Sequence, residues 1–310
     1  MRDRADADPG LGRRRWAMNR LAGVLRMIKF EHTVFALPFA LAGAWIAAAG
    51  PPPWRDLGLI VLAAVAARSA AMSFNRVADR FFDAHNPRTA ERELVTGALS
   101  VPWTVGFTAG TAVIFVGASF ALAPVCGWLS LPVLVVLLGY SYLKRFTLLC
   151  HFGLGLALAC APTGAWLAVA KEFRPGWEIP LVVGLGVVAW VSGFDLLYAL
   201  QDREVDRRQG LHSVPARHGV ATTQQLARGL HGMAVLLFAT AGLRAGFGAW
   251  YMAGVVGVAV LLASEHHLVR GGRLDRIPLA FFRVNAWVGV VFFAGVAADY
   301  AARGNALLGS

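Results

Sequence analysis

Nine apolar stretches recur along the chain, at about 33–49, 56–75, 103–122, 128–143, 148–170, 179–200, 222–243, 248–268 and 281–301, with polar connections between them. A helical span of a bilayer needs about 20 apolar residues, with a lower limit near 17. The first and fourth stretches are the shortest of the set. No run of alternating ten-residue segments suggests a β-barrel. Backbone groups in hydrocarbon must find their partners within the protein. The pattern therefore predicts an all-α membrane protein with nine transmembrane helices. Residues 1–29 are polar and arginine-rich and lack the apolar core of a signal peptide. They are expected to form a cytoplasmic tail and an interfacial helix, with residues 30–310 as one transmembrane domain.

Charge then sets the orientation. The tail carries Arg2, Arg4, Arg13, Arg14, Arg15, Arg20, Arg26 and Lys29. Further basic residues follow the second span (Arg76, Arg80, Arg88, Arg92), the fourth (Lys144, Arg145), the sixth (Arg203, Arg207, Arg208, Arg217) and the eighth (Arg270, Arg273, Arg276). The opposite side holds Arg55, Lys171, Arg174, Arg244 and Arg303. The positive-inside rule places the N-terminus in the cytoplasm. Trp54, Trp103, Trp128 and Trp250 fall near span ends and read as interface anchors.

Composition agrees with this picture. Of 310 residues, 57% are hydrophobic and 15% charged, against about 25% charged in a soluble domain. Mean hydropathy is +0.57. The net charge of +11 lies in the tail and loops. No nucleic-acid-binding motif accompanies it, so nucleic acid is not an expected partner. Cys126, Cys150 and Cys160 lack metal-ligand spacing and read as packing residues.

The candidate chemistry sits where spans end. One cluster reads Asn75-x-x-x-Asp79-x-x-x-Asp83, and a second reads Asp202-x-x-x-Asp206. On a helix, carboxylates four apart share a face about 6 Å apart. Both clusters fall on the predicted cytoplasmic side, each with basic residues after it. A carboxylate at a helix centre in lipid costs about 2.5–3.5 kcal/mol, so these four must lie at the interface or line a wet cavity. Converging acids repel one another unless cations intervene. Mg²⁺ takes one or two carboxylates and shares its remaining positions with waters and phosphate oxygens. Arginines add bidentate contacts to the same oxygens. The pattern thus points to Mg²⁺ and a phosphorylated substrate. Solvated helix ends paired with neighbouring arginines are the plain alternative, and an acid-coupled transporter is another. Transporters usually carry such acids near the midplane, whereas these lie at one end.

At these residues the chain is similar to the UbiA superfamily of intramembrane aromatic prenyltransferases. The first cluster matches the family's NxxxDxxxD motif, and the second matches its DxxxD motif with Tyr198 four residues upstream. Tyr140 to Thr147, with Lys144 and Arg145, resembles a third signature, and Asn86 to Arg92 resembles the arginine-containing loop after the first motif. The resemblance implies nine helices around a central cavity, in the cell inner membrane, with the active site facing the cytoplasm. It implies transfer of a polyprenyl group from polyprenyl diphosphate to a small aromatic acid. Mg²⁺ would be held by Asp79, Asp83, Asp202 and Asp206. Arg88, Arg92 and Lys144 would contact the diphosphate, and Tyr198 would face the prenyl cation or bind the diphosphate. Within the superfamily the chain most resembles 4-hydroxybenzoate polyprenyltransferases of ubiquinone biosynthesis and the MqnP-type menaquinone branch. The stretches Ile28 to Pro38 and Gly210 to Arg217 point toward the second, whose acceptor is 1,4-dihydroxy-6-naphthoate. Haem or chlorophyll precursors are alternative acceptors.

Either closer acceptor carries a carboxylate. Arg68 lies two turns before Asn75 on the same helix face, inside a span. An intramembrane arginine is a functional candidate: it binds that carboxylate or pairs with an acid of the bundle. Asn75 is a candidate to orient the acceptor or a metal-bound water. Asp195, seven before Asp202, is expected to support the second cluster or pair with Arg68. His151, His266 and His267 read as interfacial or satisfied residues. Two departures stand out. Glu93 to Gly97 lacks the two prolines of many relatives, which would loosen that loop. His212 stands where ubiquinone enzymes commonly carry lysine.

Overall fold

The computed structural model describes residues 23–24, 27–28, 33–270, 276–277 and 283–308. The expected interfacial helix over residues 1–29 therefore lies almost entirely outside the described residues, as does part of the Ile28 to Pro38 stretch.

Among the described residues every regular element is helical. Nine apolar helices are present: α1 (Thr33–Ala48), α2 (Trp54–Ala84), α3 (Val101–Leu122), α4 (Pro124–Leu143), α5 (Cys150–Ala170), α6 (Glu178–Ala199), α8 (Val214–Arg244), α9 (Ala249–Leu268) and α10 (Asn285–Leu308). A short polar helix, α7 (Arg203–Arg208), lies between α6 and α8. Eight of the apolar helices are long enough to cross a membrane, and α1 is shorter. Its 16 residues rise about 24 Å, less than a hydrocarbon core of about 30 Å.

Three boundaries differ from the sequence pattern in a way that matters. Helix α2 runs on past residue 75 to Ala84 and carries the whole first acid cluster. Helix α8 begins at Val214, well before residue 222, behind a Ser213 cap whose hydroxyl accepts from the Ala216 amide. Helix α6 ends at Ala199 in a single 3-10 turn, Leu200–Asp202, before α7 resumes. The second cluster therefore straddles a break, whereas one continuous helix face was expected.

Helix α6 is the centre of the bundle. Val183, Val187, Trp190, Val191 and Phe194 on it are all buried. It packs against α5 and α8, while α1 packs against α5 and α10. Phe39, Trp190, Phe238 and Phe292 join four helices in one aromatic knot, with ring centroids 4.7–5.7 Å apart. Small residues let backbones meet. A Cβ on Gly43 would collide with the Pro162 carbonyl oxygen of α5. Lipid tails offer no hydrophobic drive between helices, so such close packing holds them together. Buried polar groups are satisfied across helices: the Trp190 indole donates to Asn285 (2.8 Å), and the Asn285 amide donates to Glu265 (2.9 Å).

The two ends of the bundle differ in charge. At one end Lys171 pairs with buried Asp56 at 2.7 Å. Trp54, Trp128 and Trp250 are exposed near that end, as anchors should be, whereas Trp103 is half-buried and stacks on Phe107. Both acid clusters lie at the other end.

Candidate active site

The two clusters meet in one cavity. Its walls include Asn75, Asp79 and Asp83 from α2, Asn86, Arg88 and Arg92 from the following loop, and Lys144 and Arg145 after α4. Asp202 and Asp206 complete the far wall. All four predicted carboxylates therefore line the same space.

Each carboxylate faces its own cation. Asp202 takes two bonds from the Arg88 guanidinium, at 2.8 and 2.5 Å, and a third from the Asn86 amide at 2.8 Å. Asp83 accepts from Arg92 at 2.5 and 2.6 Å. Asp206 pairs with Lys144 at 2.7 Å and accepts from the Ser213 hydroxyl at 2.8 Å. Asp79 lies 3.5 Å from Arg145 and accepts from the Asn75 amide at 2.8 Å. The pairs cross between clusters: the loop after the first cluster supplies the partners of Asp202.

Two of these pairs hold the charge on their bases. Burial opposes charge on Lys144, but Asp206 outweighs it and raises the ammonium above the ordinary lysine value. Burial likewise opposes charge on Arg88, and the bonds to Asp202 more than offset it.

The surroundings fix these groups. The Tyr198 hydroxyl accepts from Arg88 at 3.0 Å, and its ring lies 5.1 Å from the same guanidinium. Tyr198 thus helps to fix the Arg88 guanidinium beside Asp202. Arg145 is stacked between Phe82 and Tyr142, at 5.0 and 4.7 Å, and donates to the Ala78 carbonyl. The His212 amide donates to the Lys144 carbonyl at 2.7 Å, so its backbone braces the lysine's loop. The loop without prolines is pinned instead by Leu94 and Leu99, buried against Met27.

Some residues fall elsewhere than expected. Arg68 is half-buried and is not part of the cavity wall; it lies within electrostatic reach of the half-buried Tyr140. Asp195 pairs with His151 of α5, at 2.6 Å, rather than with Arg68 or the second cluster. Its partner lies on a neighbouring helix, where sequence spacing gives no sign. Asn86, Arg145 and Ser213 were not singled out as site residues. Asn86 three positions after Asp83, and Arg145 beside Lys144, were the available signals.

Among the described residues, no three acidic, histidine or cysteine side chains form a ready metal cage. That suits Mg²⁺, which is usually held by one or two carboxylates plus waters and substrate phosphates. The donors are hard carboxylate oxygens with the Asn75 amide beside them, and they fit that ion.

Residues 36–294 match the model of the UbiA prenyltransferase family. The chain belongs to this family. UbiA-family relatives cover most of it. A protein of Aromatoleum aromaticum named 4-hydroxybenzoate octaprenyltransferase is 30% identical over 290 residues, 92% of this chain and 96% of the relative. A protein of the same name from Pseudomonas aeruginosa is 34% identical, over 84% and 86%. The apo structure of a UbiA homolog from Aeropyrum pernix K1 superposes with a TM-score of 0.80 at 31% identity, covering 87% of this chain and 98% of that one. A UbiA homolog from Archaeoglobus fulgidus, solved bound to DMAPP and Mg²⁺, shares the fold at a TM-score of 0.68 and 17% identity, over 90% and 99%. The multi-pass membrane bundle is thus the UbiA fold, and the chain is an aromatic prenyltransferase by family.

Proposed function

We propose that the protein transfers a polyprenyl group from polyprenyl diphosphate to 4-hydroxybenzoate, in ubiquinone biosynthesis. The observation that carries this reading is the single cavity in which both acid clusters meet four basic side chains. Relatives of that name, matched over most of both chains, support the acceptor.

Asp79, Asp83, Asp202 and Asp206 would hold Mg²⁺. When bound, Mg²⁺ neutralises the diphosphate and stabilises the charge it gains on leaving. Arg88, Arg92, Lys144 and Arg145 already sit at the cavity wall and bind the diphosphate oxygens. Arg88, with its fork fixed by Tyr198, suits bidentate contact with a phosphate. Asn75 orients the carboxylate of Asp79 and faces the acceptor. Arg68, deeper along α2, binds the acceptor carboxylate. The apolar interior below the cavity receives the prenyl tail and keeps water from the allylic cation. The concentration of basic loops at the cavity end supports a cytoplasmic active site, a cytoplasmic N-terminus and an inner-membrane location.

The test uses membranes containing the full chain, Mg²⁺, a polyprenyl diphosphate and either 4-hydroxybenzoate or 1,4-dihydroxy-6-naphthoate. Prenylated 4-hydroxybenzoate, lost in Asp79→Ala and Asp202→Ala, is the expected result. Product only from the naphthoate would overturn the acceptor, and undiminished turnover in both variants would overturn the metal site.

A further inference from the structure

A fifth acid lies deeper than the four that line the cavity. Asp195 on α6 precedes Tyr198 by three residues and Asp202 by seven. Tyr198 lies one turn after Asp195, and the 3-10 turn Leu200–Asp202 then separates both from the second cluster, which lies about 10 Å nearer the cavity end. Its side chain is 26% exposed on a helix that is otherwise largely buried, and it is not one of the residues that line the cavity.

One oxygen of this carboxylate is fixed. His151 on α5 is 2% exposed, and its Nδ1 donates to Asp195 Oδ2 at 2.6 Å. The Ser192 hydroxyl, one turn earlier on α6, donates to the His151 carbonyl at 3.3 Å. The two helices meet closely there. A Cβ on Gly155 would stand 2.8 Å from the Val188 carbonyl oxygen. The two helices are therefore held close at this level, and the imidazole is fixed through its Nδ1 by the acid. Among the described residues, Asp195 Oδ1 carries no hydrogen bond.

Charged and polar groups of the site lie within electrostatic reach of this acid. Tyr140 on α4 is within electrostatic reach of Asp195, of Arg68 and Arg76, and of Asp79. Lys144 also feels Asp195. From α5 the facing group is His151, and from α6 itself Tyr198 and Asp202. Helix α8 packs on the other side of α6, where His231 meets Gly193. Tyr140 thus stands within reach of both Asp195 and the arginine assigned to the acceptor carboxylate, and Lys144 within reach of both Asp195 and the second acid cluster.

We propose that Asp195 is the base that activates the acceptor hydroxyl, with His151 as its positioning residue. The proposal rests on the acceptor reading above. The phenolic proton passes to Asp195 Oδ1, and its bonding pair stays on the oxygen. The phenolate then pushes a pair through the ring, forming a bond from the ortho carbon to the prenyl carbon. The prenyl C–O bond breaks, and its pair leaves with the diphosphate. The ortho proton goes to the departing diphosphate, its pair restores the ring, and Asp195 returns its proton to the oxygen. A positioned base of this kind contributes about 10²–10⁴-fold.

The test compares the full chain with Asp195→Asn and His151→Gln in membranes, following prenylated 4-hydroxybenzoate from pH 6 to 9. Asp195→Asn should lose about 10²-fold in kcat near neutral pH, with KM for the diphosphate unchanged. Its rate should climb with pH as the acceptor ionises by itself. The defect should shrink with 2-fluoro-4-hydroxybenzoate, a more acidic phenol with its reacting positions free. His151→Gln should show a smaller loss and an altered pH profile. Full activity in Asp195→Asn would overturn the proposal. So would a defect equal at every pH and with both phenols, because lost folding or packing behaves that way. If Asp195→Asn does not fold, an unchanged pH profile in folded His151→Gln would overturn it. Inactivity of the unsubstituted protein toward 4-hydroxybenzoate would instead sink the acceptor reading itself.

Discussion

Arg88 grips Asp202 through two parallel hydrogen bonds, at 2.8 and 2.5 Å, across 114 positions of sequence. The arginine belongs to the loop after the first acid cluster, and the aspartate belongs to the second. The contact joins the two halves of the site before any substrate is considered, and Tyr198 holds the guanidinium from its other side.

Replacing Arg88 by lysine keeps the charge but loses the fork. Charge-assisted hydrogen bonds contribute about 1.5–3 kcal/mol each. Arg88→Lys should therefore raise KM for polyprenyl diphosphate or lower kcat, by about tenfold or more in kcat/KM. Steady-state kinetics with varied diphosphate at fixed acceptor will measure it. An unaltered kcat/KM would remove Arg88 from the diphosphate site.

Chelation should abolish turnover, and added Mg²⁺ should restore it. Asp83→Asn is expected to raise the Mg²⁺ concentration that gives half-maximal rate by about tenfold or more, since carboxylate charge carries much of the affinity of such sites. A Mg²⁺ titration of both proteins decides this. Equal half-saturation would show that Asp83 serves only as the partner of Arg92.

Arg68 lies apart from the cavity wall, so its loss should act on one substrate. Arg68→Ala should raise KM for 4-hydroxybenzoate by about 10- to 100-fold, the size of one lost charged contact, with little change for the diphosphate. The methyl ester of 4-hydroxybenzoate, which has no carboxylate, should be used about equally poorly by both proteins. Equal KM values for 4-hydroxybenzoate in the two would place the carboxylate elsewhere.

Gly43 tests the packing instead of the chemistry. A methyl there meets the Pro162 carbonyl, which belongs to backbone and cannot swing aside. Overpacking of this kind costs about 1–3 kcal/mol. Gly43→Ala should lower the melting temperature in detergent while the cavity residues stay intact. A melting temperature equal to that of the parent would mean that α1 and α5 separate freely.

The number of helices was readable because hydrocarbon imposes a simple rule on apolar length. The first cluster was readable too, since α2 continues through it and i, i+4 spacing becomes a face. The second was read only in part. No proline or glycine marks the break at Leu200–Asp202, and Asp202 there is held by Asn86 and Arg88 from a distant loop. Asp195 shows the same gap between sequence and structure. Spacing gave its helix face, but its partner His151 depends on how closely α5 and α6 approach, which is decided by Gly155 and Ser192 together. The Trp190–Asn285–Glu265 chain joins three helices and left no periodic trace.

Four acids each clasped by a base have a consequence for the order of events. The resting cavity is electrically balanced. A lone divalent cation would have to pull an aspartate from its arginine and leave that arginine buried without an anion. A lone diphosphate would face the reverse difficulty, displacing carboxylates that then have no cation. Arriving together, the two permit an exchange of partners, in which the acids turn to the metal and the bases turn to the phosphates. On the proposed assignment of these residues, the site would therefore act as a coincidence detector, poorly disposed toward either guest alone and receptive to both at once.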